Sequence, residues 1–136
     1  MGVRVGIRFG ELHLIAVMAL FIGAHAHADD SDVTNTVESI NKGRVLFANL
    51  CTACHGHDGK AQIDVVADAT DLTDPSGYRN GNDRASILKS IRDGAGAAMP
   101  AFGTVLKNPA DIGHLRNFIQ SLWPTEQRPP IVKASD

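Results

Sequence analysis

The sequence predicts an all-α domain of three to five helices. Three stretches carry apolar residues at helical intervals and are bounded by helix start and stop signals. The segments between them are rich in Gly, Asp, Asn and Ala, without the alternation that marks a half-buried strand. With 136 residues, the chain holds one domain at most.

The first element in order is a leader. Arg4 and Arg8 precede an apolar run from Leu12 to Gly23, and small residues alternate with histidine through Ala24, Ala26 and Ala28. This pattern predicts a signal peptide over residues 1–28, cleaved after Ala26-His27-Ala28, and therefore a periplasmic product. A dozen apolar residues fall short of the ~20 that a membrane-spanning helix needs, so the processed chain is expected not to span a membrane. Residues 29–36 form a polar lead-in.

The domain proper is expected over 37–123. Val37, Ile40, Phe47 and Leu50 share one face of a first helix over 37–50. Gly43 inside it costs about 1 kcal/mol relative to Ala, which points to a close backbone approach. Residues 56–82 show no sustained period and are expected to be an ordered loop. A second helix over 83–92 is capped by Asn82 or Asp83, shows Ile87, Leu88 and Ile91 on one face, and stops at Gly94. Residues 93–103, DGAGAAMPAFG, form another loop. In the last helix Asn108 is the cap, Pro109 the first helical position, Asp111 lies in the first turn, and Pro124 is the stop. Ile112, Leu115, Phe118, Ile119 and Leu122 form its stripe. Residues 124–136 read as a flexible polar tail.

Charge and composition exclude some functions. The whole chain carries −2, and losing Arg4, Arg8 and Glu11 with the leader makes that −3. This balance offers no basic footprint for nucleic acid. Beyond the leader the aromatic residues are only Phe47, Tyr78, Phe102, Phe118 and Trp123, a thin supply for a core. A bound apolar group would make up the difference.

Both cysteines fall in one short stretch, Cys51-Thr52-Ala53-Cys54-His55. Zinc wants four ligands, and no further cysteine or suitably spaced histidine pair completes a set. A redox dithiol of the thioredoxin type needs a strand-and-helix setting that is absent here, and a disulfide this short would close almost no chain. C-x-x-C-H fits covalent haem: each thiol adds to one vinyl group, and the adjacent histidine lies beneath the iron. The cofactor expected is one covalent haem c, held by Cys51 and Cys54, with His55 as an axial ligand of the iron.

The chain resembles the class I c-type cytochromes in their short bacterial single-haem form. The resemblance runs from Asn41 to Trp123 and is carried by GRVLFANLCTACHGHDGK, DLT, GAGAAMPAFG and the final amphipathic helix. It implies the cytochrome c fold, with helices wrapped around one haem and with Gly43 and Phe47 of the first helix packed against Phe118, Leu122 and Trp123 at the last. Met99 is the only methionine beyond the leader, and by itself it reads more readily as core filling than as a ligand. The family's Met-Pro pattern, matched by Met99-Pro100, implies that it is the second axial ligand, ahead of His57 and His114, which are expected at the surface. Aligning DLT on the family pattern puts Leu72 against the haem. It also puts Thr70 where a proline carbonyl commonly accepts the proximal histidine's Nδ1–H.

Tyr78, Arg79 and Arg84 are candidates for the haem propionates, with Leu72, Tyr78 and Arg84 forming the expected pocket. Lys42, Lys60, Lys89 and Lys107 suit either a docking rim or plain exterior. Ligation by His55 and Met99 would leave no open position on the iron. The expected function is then one-electron transfer, not catalysis, with a dehydrogenase, an oxidase or another cytochrome as donor and acceptor. A haem subunit dedicated to a quinoprotein-type dehydrogenase is the alternative, and a ligand-binding or catalytic haem protein ranks below it.

Overall fold

In a computed structural model the described residues are 1–2, 33–61 and 66–133. The expected leader and its cleavage site lie outside them, apart from Met1 and Gly2. The described residues form four helices and two short 3-10 turns, Pro75–Gly77 and Thr125–Gln127. Their only strand-like pairing is an isolated bridge between Ala95 and Met99. None of their helices is long and apolar enough to cross a membrane.

Helix α1 spans Val37–Leu50, starting at Thr36, whose side chain accepts from the Ser39 amide. Its buried face is Ser39, Ile40, Gly43 and Phe47. Val37 is 61 % exposed, so the apolar face begins one turn later than its spacing predicted. Helix α2, Thr52–His55, follows at once and carries the C-x-x-C-H motif. Helix α3 is Arg84–Asp93, capped by Asp83, whose carboxylate accepts from the Ser86 amide, and it ends at Gly94. Helix α4 is Ala110–Ser121. Asn108 accepts from the Ala110 amide, and Pro109 between them has helical dihedrals, φ −57° and ψ −31°, as expected of the helix start.

The frame is set where α1 crosses α4. A Cβ on Gly43 would lie 2.0 Å from the His114 carbonyl oxygen and 2.8 Å from the Phe118 Cβ. Only glycine lets the two backbones approach this closely. One turn on, the Phe47 and Phe118 rings meet at 5.1 Å between centroids, tilted by 54°. Ile40, Leu115, Ile119 and Trp123 extend the same core, and Ile87, Leu88 and Ile91 join it from α3.

Two expectations about the periphery change. The tail was read as flexible, yet residues 124–133 are tied to the lead-in. The Val132 amide donates to the Asn35 carbonyl at 2.8 Å, and Asn35 Nδ2 donates to the carbonyls of Pro129 and Pro130 at 3.1 Å each. Asn117, 1 % exposed, donates to the Thr34 carbonyl and to Ser39 Oγ, fixing the lead-in from below. His114 was read as a surface residue. It is half-buried, with Nδ1 2.9 Å from Ser39 Oγ, and burial holds its pKa below the usual histidine value. Its backbone is part of the Gly43 contact, which places its side chain beside that crossing.

Gly43→Ala is expected to cost roughly 3 kcal/mol and to lower the melting temperature by more than about 10 °C, because a backbone carbonyl cannot yield to the new methyl. Thermal unfolding of the haem-loaded protein followed by circular dichroism measures this.

Candidate functional site

Two adjoining cavities, of about 660 and 710 Å³ including their open mouths, share Cys51, His55, Thr70, Arg79, Met99 and Phe102 in their walls. They are two halves of one slot. The inner half is walled by the core, including Phe47, Leu72, Ile87 and Ile91. The outer half is closed by Leu50, Cys54 and the loop Gly96–Pro100.

Helical geometry in α2 sets the first group of side chains. The amides of Cys54 and His55 both donate to the Cys51 carbonyl, at 3.2 and 2.9 Å. Thiols three residues apart in a helix face the same way. Both are free cysteines, and burial, with a lesser contribution from Cys54, pushes the Cys51 thiol up to about 11.

His55 is 9 % exposed, and its Nδ1 lies 2.9 Å from the Thr70 carbonyl oxygen. A carbonyl only accepts, so Nδ1 carries the proton and Nε2 keeps its lone pair free for a metal. The bond expected of Thr70 is therefore present, without a proline. Leu72, 8 % exposed, lines the inner half as expected. Its amide donates to the Gly59 carbonyl at 2.7 Å, tying it to the turn just after α2.

Met99 enters the slot from the other loop. Its backbone pairs with Ala95 in both directions, at 3.2 and 3.3 Å. Gly94, at φ +85°, makes the turn, and a Cβ there would lie 2.6 Å from the Met99 carbonyl oxygen. The amides of Phe102 and Gly103 donate to the last carbonyls of α3, those of Ile91 and Arg92, and so anchor the far end of the loop. The half-buried Met99 side chain lines both halves of the slot.

The expected propionate partners separate. Arg84 does not belong to the pocket: it is exposed in the first turn of α3 and lines neither half of the slot. Arg79 lines both halves, and a 3.9 Å ion pair joins it to the exposed Asp68. Sequence pattern could not rank the two arginines, because position 79 lies in a loop without a period. Tyr78 lines the inner half, but its hydroxyl donates to the Leu72 carbonyl at 2.9 Å and accepts from Trp123 Nε1–H at 3.0 Å. His57 is exposed, as expected. Lys42 and Lys89 pair with Glu38 and Asp93 one turn away, and Lys107 donates to the Thr104 carbonyl, so three of the four lysines have local partners.

Residues 38–119 match the family described as cytochrome c oxidase, cbb3-type, subunit III. The chain belongs to this family. Among its relatives is the cbb3-type cytochrome c oxidase subunit FixP of Azorhizobium caulinodans, 32% identical over 116 residues, a match covering 77% of this chain and 38% of that protein. The subunit CcoP of Helicobacter pylori is 35% identical over 108 residues, covering 77% of this chain and 36% of that protein. The match therefore spans less than two fifths of either relative. Cytochrome cL from Methylophaga aminisulfidivorans superposes with a TM-score of 0.56 at 22% identity, over 71% of this chain and 58% of that one, which shows the cytochrome c fold.

This c-type cytochrome domain accordingly takes one covalent haem c. The slot fits that group on its own chemistry: apolar inner walls, two like-facing thiols at one edge, and a histidine nitrogen and a thioether within the same walls. Cys51 and Cys54, which both line the outer half, would hold it covalently.

Burial and its hydrogen bonds set the ionisation of Tyr78. Burial pushes the phenol up to about 12, outweighing the opposing effect of Trp123. The folded form then keeps its proton past pH ~10, where the unfolded chain loses it. The stability that Tyr78 contributes is thus full below pH ~10 and declines as pH rises towards about 12. Tyr78→Phe is expected to lack this alkaline component. At pH 7 it should cost roughly 1–3 kcal/mol, because the Leu72 carbonyl and the Trp123 indole lose their partner. Denaturant titrations of both proteins at pH 7 and pH 11 compare the two effects.

Proposed function

We propose that the domain relays single electrons on the periplasmic side of a membrane, with His55 and Met99 as the two axial ligands of its haem iron. Iron held by nitrogen and thioether sulfur supplies a one-electron couple with no open coordination position, and the sulfur raises its potential by favouring the ferrous state. The observation that carries this reading is that His55 and Met99 line the same slot, with His55 Nδ1 engaged by Thr70 so that Nε2 alone is free.

The rest of the chain has a definite part in it. Thr70 fixes the tautomer and tilt of the His55 ring. The Ala95–Met99 pairing and the bonds from Phe102 and Gly103 to α3 hold the thioether in place on a loop that has no regular structure of its own. Ile87, Ile91 and Phe47 keep water from the inner half. The loop 94–103 contains no ionisable side chain and so offers no acid or base for chemistry there. Its exposed residues Ala97, Ala98, Pro100 and Ala101 form an uncharged lip beside the slot.

Among possible partners, an oxidase is favoured over a dehydrogenase by the family match over residues 38–119 and by the printed names of the relatives. Met99→Ala is expected to retain covalent haem, to lose the weak red absorption band of a sulfur-ligated ferric iron, to fall in midpoint potential and to bind carbon monoxide when reduced. Absorption spectra and a redox titration of the two proteins measure all four. Unchanged band and potential in the variant would remove Met99 from the iron.

A further inference from the structure

Thr70 is required to present its carbonyl to His55, yet threonine has no ring to restrict φ as proline would. Something else must keep residues 70–72 still. The Leu72 peptide is held at both ends: its amide donates to the Gly59 carbonyl at 2.7 Å, and its carbonyl accepts from Tyr78 Oη–H at 2.9 Å. The Leu72 carbonyl can only accept and the Trp123 indole N–H can only donate, so the tyrosine hydroxyl has one consistent role in each bond.

Trp123 is in turn fixed. It is 6 % exposed, meets the Tyr78 ring edge-on at 6.0 Å and 79°, and has its carbonyl bound by Arg128 Nε–H at 2.6 Å. Tyr78 is steadied from its own side by the 3-10 turn Pro75–Gly77, whose first carbonyl also accepts from Asn82 Nδ2 at 3.0 Å. A continuous set of bonds thus runs from the end of α4 to the segment that grips His55.

We propose that Tyr78, braced by Trp123, is a positioning residue for His55: it locks residues 70–72 so that the Thr70 carbonyl stays on His55 Nδ1, and through that bond it sets the basicity of the ring. This rests on reading His55 as the iron's nitrogen ligand. A firmly held Nδ1–H···O bond makes Nε2 a stronger donor, which favours the oxidised state of a bound metal. Loosening it therefore raises the midpoint potential.

The test compares the haem-loaded wild type with Tyr78→Phe, Thr70→Pro and the double variant. Among the described residues the Thr70 amide donates no hydrogen bond, so proline at position 70 removes none of these. Three quantities are read: solvent exchange of His55 Nδ1–H by nuclear magnetic resonance, midpoint potential, and melting temperature. Tyr78→Phe is expected to speed the exchange about tenfold, the factor that corresponds to one weakened hydrogen bond. It should also shift the reduced-to-oxidised ratio at fixed ambient potential about threefold towards reduced, or about 30 mV at 59 mV per tenfold. In the double variant the exchange and the potential return to the Thr70→Pro values while the melting temperature stays low, because Leu72 and Trp123 remain without their partner.

If Tyr78→Phe lowers the melting temperature but leaves exchange and potential at wild-type values, the role is structural and the proposal is overturned. Failure of proline to restore them overturns it too. Should Tyr78→Phe not retain haem, Trp123→Phe, which removes the bracing N–H together with part of the indole ring, must shift both readouts in the same direction, and unchanged values there overturn the proposal. A wild-type spectrum without nitrogen and sulfur ligation would instead overturn the ligand reading itself.

Discussion

Most of the molecule depends on how closely α1 and α4 cross. At Gly43 the backbone of α1 rests against the His114 carbonyl, with no room for a methyl. Because α2 begins two residues after α1 ends, this crossing also decides where the C-x-x-C-H turn points. A looser crossing would move Phe47 off Phe118 and displace the thiols relative to the core walls that the haem must meet. The same contact brings Ser39, His114 and Asn117 together and lets Asn117 hold the lead-in, so the polar periphery is organised from one approach between helices.

The slot is built by dividing labour between rigid and irregular parts. α1, α3 and α4 supply apolar walls whose residues recur at helical spacing and whose burial needs no particular partner. The chemistry-bearing groups come from α2 and from two loops, where position must be secured bond by bond. Thr70 reaches His55, Leu72 reaches Gly59, and Met99 is held by Ala95. Placing functional groups on connections fixed by a helical scaffold is a general economy of folds, since loops tolerate the local variation that tunes a site. Here residues 96–101, around Met99, carry no charged side chain.

Side-chain ionisation follows from the same geometry. Burial raises the Cys51 thiol and the Tyr78 phenol and lowers His114. Each shift favours the neutral form, as expected where a thin aromatic core must exclude water without paired charges. Arg116 is the charged exception, 4 % exposed, with its guanidinium donating to the Val33 carbonyl. It lines neither half of the slot, and its hydrogen bond goes to the lead-in.

What the sequence alone determined was whatever repeats or is covalent. The spacing of Phe47, Ile87, Ile91, Leu115 and Phe118 gave the helices and their buried faces, and α1 runs over the residues its pattern indicated. Cys51, Cys54 and His55 declared the cofactor because thioether chemistry demands that order of residues within one helical turn. Tertiary structure alone decided what depends on which distant groups meet. Arg79 lines the slot and Arg84 does not, His114 is drawn inward by Ser39, Tyr78 turns its hydroxyl to Leu72, and the tail pairs with Asn35. The physical reason is that a loop residue's hydrogen bonds are chosen by contacts many positions away in sequence, and no local period records them.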